Sequence, residues 1–184
     1  MSMSPLVGRD EVRTELRDML LALARGTGGC VVLQGPAGIG KSRLLVTAAV
    51  QAADLGVRVA EGGATALDRA APLTPLLTAL RAARPPVLDE AAPAVLAPQQ
   101  HNRYWLVNRL GELIDDYAGA HPLLVVLDDA QWVDELTALA LRVLVPRLRA
   151  SPVLWLLARR PPAERSTEQD AIDWLVTDGA RLLA

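Results

Sequence analysis

The run Gly35-Pro36-Ala37-Gly38-Ile39-Gly40-Lys41-Ser42 has the spacing G-x-x-x-x-G-K-S, in which each specified residue type has a chemical task. Glycines at 35, 38 and 40 let the backbone curl until successive N–H groups point at one anion, and a helix starting at Lys41 adds its positive end. Lys41 would bridge the β- and γ-phosphates of a nucleoside triphosphate, and the Ser42 hydroxyl would sit on Mg²⁺. Ile39 inside the loop and Arg43 just after it are counted with the cradle. Of the nineteen basic residues Lys41 is the only lysine. A chain that writes every other cation as Arg keeps the compact ammonium where a planar guanidinium would not fit between two phosphates.

A second constellation closes the apolar run 123–127. Asp128 and Asp129 follow it, so a carboxylate is delivered to the carboxyl edge of a sheet beside the glycine-rich loop. Asp128 is the expected Mg²⁺-side carboxylate. Asp129 either orients or deprotonates an attacking water, or caps the turn that follows. Arg159 comes directly after a further apolar run, 153–158, and on the same edge could meet a γ-phosphate. Arg160 is its rival, and a solvated arginine is the third reading.

These residues need a scaffold that brings strand ends together, and the hydropathy pattern supplies one. Residues 9–25, 41–55, 74–83, 101–118, 134–149 and 167–176 carry helical spacing. Short apolar runs at 30–34, 57–60, 123–127 and 153–158, with a last one beginning at 181–184, read as strands. Between 62 and 100 lie six of the thirteen prolines, so short helices and irregular loops are expected there. Strands alternating with helices predict a parallel sheet covered on both faces.

Composition narrows the function classes. At 184 residues the expectation is one globular domain. No stretch approaches a membrane span and the N-terminus lacks signal-peptide layout, which predicts a cytoplasmic protein. A net charge of −2 offers no footprint for a nucleic-acid backbone. The single Cys30 permits no internal disulfide, and His101 and His121 have no zinc-type spacing.

Val7-Gly8-Arg9-Asp10-Glu11 ahead of a helix, the glycine-rich loop, Leu127-Asp128-Asp129-Ala130-Gln131-Trp132-Val133-Asp134, and Leu157-Ala158-Arg159-Arg160-Pro161 together resemble the ATPase module of large ATP-binding LuxR-type bacterial regulators. That module is similar to the STAND signal-transduction ATPases, relatives of AAA+ proteins. The resemblance implies a P-loop NTPase three-layer α/β sandwich with about five parallel strands in the order 5-1-4-3-2. It implies ATP or ADP with Mg²⁺ as cofactors, Val7 and Arg9 at the adenine, and Arg159 at the γ-phosphate. The helical lid, winged helix and DNA-binding helix-turn-helix of such regulators have no counterpart in these residues. The expectation is therefore a single nucleotide-binding domain, the N-terminal piece of a longer regulator and a monomer by itself, whose partners are the nucleotide and the regulator's other domains. A nucleotide-dependent switch with slow hydrolysis is the favoured reading. A freestanding ATPase or nucleotide-dependent kinase is the alternative, although the stretch 136–148, where a kinase would need a basic acceptor-binding lid, is mainly apolar, and a non-catalytic interaction module is the third.

Overall fold

A computed structural model of the chain describes residues 9–67, 72–88, 102–161 and 167–184. Helix α1 (Arg9–Ala24) precedes β1 (Gly29–Gln34), α2 (Lys41–Asp54), β2 (Arg58–Gly63), α3 (Thr74–Ala82) and α4 (Arg103–Ala120). β3 (Leu123–Asp128) leads through a short 3-10 turn (Ala130–Trp132) to α5 (Glu135–Arg147), β4 (Val153–Arg159), α6 (Thr167–Thr177) and β5 (Arg181–Leu183). The strands form one sheet in the order β2-β3-β4-β1-β5, with every pairing parallel. Read from the other edge, this is the expected 5-1-4-3-2 order.

The handedness of the crossovers explains where the helices lie. The connection from β1 runs toward β2, whereas those leaving β2, β3 and β4 run toward β5. Right-handed crossovers in opposite directions must cover opposite faces. Accordingly Leu45, Ala48 and Ala52 of α2 pack with Leu16, Leu20 and Leu23 of α1 against Leu124, Val126, Leu154 and Leu156. On the other face, residues of α3, α4, α5 and α6 pack against Cys30, Val125, Trp155 and Leu157. β3 and β4 are buried on both sides, which is why they read as unbroken apolar runs rather than as alternation.

The sequence expectation for β2 stops at residue 60, but the strand continues through Gly62 and Gly63. Glycine here signals close approach and not a turn: a Cβ on Gly62 would lie 2.8 Å from the Pro75 carbonyl oxygen, so α3 lies directly on the strand. Helix α4 begins two residues later than expected because Asn102 caps it, accepting from Trp105 N–H at 3.0 Å. Of the irregular stretch expected between 62 and 100, residues 68–71 and 89–100 lie outside the described residues; 74–82 is the expected helix.

Cys30 is buried beneath α6, and burial pushes its thiol up to about 12. It is inert as a nucleophile at neutral pH. A buried carboxylate organises the segment after β3. Asp134 caps α5, its Oδ1 accepting from Leu136 N–H (3.0 Å) and Thr137 N–H (2.9 Å), while Oδ2 accepts from the Thr137 hydroxyl. Oδ1 also accepts from Leu73 N–H at 3.0 Å, tying the residue ahead of α3 to the start of α5. Leu73 itself has φ 63 and is fully buried, a conformation its surroundings must hold in place.

Asp134→Ala strands these donors away from water, so the variant should lose about 2–4 kcal/mol of stability. A urea midpoint lowered with unchanged slope is the expected result, and an unchanged midpoint contradicts the account.

Candidate phosphate-binding site

The glycine-rich loop leaves the sheet with one last ladder bond, from Gly35 N–H to the Arg159 carbonyl at 3.2 Å. It then turns through two left-handed glycines, Gly38 at φ 76 and Gly40 at φ 95. Gly40 is the N-cap of α2 and supplies no side-chain cap, so the first-turn amides of the helix point out of the fold at the loop. Lys41 folds back across the mouth: its Nζ donates to the carbonyls of Gly35 (2.8 Å) and Pro36 (3.0 Å). Ile39 is 39% exposed and packs over the loop, its Cγ2 within 3.0 Å of where a Cβ on Gly35 would stand. Ser42 and Arg43 are exposed on the first turn of α2.

Side-chain alternation decides which acidic residue meets that helix. Leu124 and Val126 belong to the α2 face of β3, so Asp128, next in the alternation, faces α2 as well. Its Oδ1 takes the Asp129 N–H at 2.8 Å. The Ser42 hydroxyl makes no hydrogen bond among the described residues. Ser42 and Asp128 thus contribute two hard oxygen donors to one side of the sheet edge. No group of three or more metal-ligating side chains occurs among the described residues. A donor set of two protein oxygens suits Mg²⁺, which keeps several waters and takes the rest of its shell from phosphate.

Asp129 adopts φ 50, ψ 40, a left-handed conformation that aspartate tolerates better than most residues. Its side chain does not cap the 3-10 turn; instead Oδ1 accepts from Gln131 Nε2 at 2.7 Å. The other end of the Gln131 amide, Oε1, accepts from Arg160 N–H at 3.0 Å. Gln131 is 6% exposed.

Arg159 sits at the end of β4 but on the opposite face from Asp128. Its Nε donates to Gln34 Oε1 at 2.9 Å and Nη2 to Asp173 of α6, while Nη1 is buried with no partner among the described residues. Its side chain is 4% exposed and that of Asp173 51%, so solvent screens one half of the ion pair. Arg160 is exposed and forms no ion pair among the described residues. Val7 lies outside the described residues, as does the side chain of Arg9, the first residue of α1.

Three polar residues of this edge carry no signal that a loop-and-carboxylate motif provides. Gln34 was visible as a polar residue on the inward rhythm of Cys30 and Val32. The bonds of Gln131 to Arg160 and of Asp173 to Arg159 arise only through tertiary structure, across 29 and 14 positions, although Gln131 also meets Asp129 two positions away.

Residues 5–156 match the AAA ATPase domain family. No curated protein matches the sequence. Among solved structures, Cdc6p from Pyrobaculum aerophilum superposes with a TM-score of 0.61 at 14% identity, over 100% of this chain and 47% of its own. PCH-2 from C. elegans gives a TM-score of 0.47 at 13% identity, over 96% of this chain and 41% of its own. The likeness to Cdc6p is one of fold, and this chain spans about half the length of that protein.

The left-handed glycines give a direct test of the loop geometry. A Cβ on Gly38 would meet nothing within 4 Å, so the cost of a side chain there is conformational alone. Gly38→Ala should lower stability by about 1–2 kcal/mol and Gly38→Asn by less, because asparagine tolerates the left-handed region. Denaturant midpoints that rank the two variants the other way contradict this backbone.

Proposed function

We propose that this chain, which belongs to the AAA ATPase domain family, binds an adenine nucleotide with Mg²⁺ across its glycine-rich loop and serves as a nucleotide-dependent switch that hydrolyses slowly. The observation that carries the reading is the state of Lys41. An ammonium resting on two neutral carbonyls at the mouth of an uncapped helix start exchanges them readily for phosphate oxygens, since an anionic acceptor adds the attraction of opposite charges that a carbonyl lacks. In this reading Ser42 and Asp128 hold Mg²⁺, which when bound neutralises charge on the β- and γ-phosphates.

Asp129 lies next to Asp128, and its Oδ2 makes no hydrogen bond among the described residues, so it can orient a water. The resemblance favours Arg159 as the γ-phosphate contact, yet that side chain has only Nη1 uncommitted. Arg160, exposed on the same edge, is the better placed of the two, with Arg159 acting to fix Gln34 and Asp173. Val7 and Arg9 are proposed for the adenine on the resemblance alone. Slow cleavage follows from exposure: Pro36, Ala37, Gly38, Ile39, Ser42 and Arg43 all face solvent, and phosphoryl transfer depends on keeping water out. A role in a LuxR-type transcriptional regulator is part of the same proposal and rests on the four sequence motifs.

Competition of ATP, ADP and GTP against a fluorescent nucleotide tests the base preference, with both adenine nucleotides expected to win. Stronger GTP binding sinks the assignment. Lys41→Ala and Lys41→Arg should each weaken triphosphate binding about ten- to a hundredfold, the value of a charge-assisted contact of roughly 1.5–3 kcal/mol. Their melting temperatures without nucleotide should stay near the parent's, because Lys41 contributes nothing to either core cluster. Parent-like ATP binding by both variants would make the loop purely architectural.

A further inference from the structure

We infer that Gln131 is a positioning residue: it sets the carboxylate of Asp129 for its work on the terminal phosphate and locks that setting to the exit of β4. This rests on the nucleotide-cleaving reading above and goes beyond it in naming a residue outside the glycine-rich loop and the acidic pair.

The logic is in the donors and acceptors. A backbone N–H can only donate, so the end of the Gln131 amide that meets Arg160 N–H at 3.0 Å must be the oxygen. The end that meets Asp129 at 2.7 Å is then the NH₂, and Asp129 Oδ1 is restricted to accepting. One oxygen of the carboxylate is thereby pinned, and Oδ2 is the one left for a water. Gln131 is 6% exposed, so neither bond can be replaced cheaply by solvent. The backbone contributes as well. Asp129 holds a left-handed φ of 50, and the bonds from Asp129 N–H to Asp128 Oδ1 and from Trp132 N–H to the Asp129 carbonyl keep it there.

From Arg160 the connection continues one residue back. The Arg159 carbonyl accepts the Gly35 N–H that opens the glycine-rich loop, and the Arg159 side chain holds Gln34. A single buried amide therefore joins the carboxylate after β3 to the strand end on which the loop hangs. In the step it serves, the water oxygen bonds to the γ-phosphorus as the bond from that phosphorus to the β,γ-bridging oxygen breaks. ADP leaves with the electron pair, and the water proton passes to Asp129 Oδ2 and on to solvent.

The test is single-turnover cleavage of Mg²⁺-ATP by the full chain, beside nucleotide affinity, for Gln131→Glu. Glutamate keeps the shape and the acceptor for Arg160 N–H but sets a carboxylate against Asp129. Cleavage should fall about tenfold or more, as a misplaced reacting group costs, with ATP affinity within about threefold of the parent. Gln131→Met, matched in length and lacking both polar ends, should behave alike if melting shows it folded. The decisive readout is a double-mutant cycle with Asp129→Gly, which removes the carboxylate without straining the backbone. If Gln131 acts through Asp129, adding Gln131→Glu to that background changes the rate by less than about twofold. Losses that multiply overturn the inference, as does parent-like cleavage by Gln131→Glu. ATP bound but never cleaved by the parent also overturns it, since Asp129 then has no water to direct, whereas a parent that binds no ATP removes the nucleotide reading itself.

Discussion

The parallel pairing of β1 with β4, from Gly29 opposite Leu154 to Gln34 opposite Arg159, is the constraint on which the candidate site depends. The chain leaving β1 crosses toward β2, and the chain leaving β4 crosses toward β5, so between these two strands the connections part and open a crevice at the carboxyl edge. The glycine-rich loop emerges on one side of that crevice and Arg159 and Arg160 on the other. Because β3 adjoins β4, Asp128 and Asp129 arrive two strands away from the loop at the same level. Residues drawn from positions 34 to 173 meet there because parallel strands all end on the same side.

Polar burial follows the same geometry. Among the described residues the buried polar side chains are Gln131, Asp134, Thr137 and Arg159. All four lie at or just beyond the ends of β3 and β4, while the sheet interior is filled by leucine, valine, alanine and Trp155. A buried polar group is tolerated only where it is bonded, and here each is held: Asp134 by three amides and a hydroxyl, Gln131 by Asp129 and Arg160, Arg159 by Gln34 and Asp173. Among the described residues three buried nitrogens lack a partner: Nη1 of Arg159 at this edge, Nε of Arg58 and the indole Nε1 of Trp155. The apolar sheet supplies the stability, and the polar edge the specificity of arrangement.

Most of the architecture was legible in the sequence because hydrophobic period and glycine placement are local signals. The strand order came with the family resemblance and from no local pattern; given that order, right-handed crossovers put the helices on their faces, and the loop could be read because its glycines and Lys41 are contiguous. β2 ran longer than expected because Gly62 serves an approach by α3 that no local pattern announces. At the site, the identities of Lys41, Ser42 and Asp128 as candidates came from spacing. The partners that fix the geometry did not: Asp129 reads equally well as a cap or a reactive carboxylate until Gln131 is found against it. Likewise, nothing near Arg159 in sequence says that Gln34 and Asp173 hold it. The bond of Gln131 to Asp129 spans two residues, but those of Gln131 to Arg160 and of Arg159 to Gln34 depend on which strand ends become neighbours, and a motif does not encode that.

Asp128 faces α2 while Arg159 faces α6, and between them lies a layer of strands whose inner residues are almost wholly out of contact with water. In mechanical terms the sheet is a septum. Close packing makes that partition stiff, so strain in it is passed on and not absorbed. At its rim Gln34, Gln131 and the two arginines stitch the strand ends together, so the two faces share one polar border. The rim is then less the border of the sheet than the seam at which its two chambers meet.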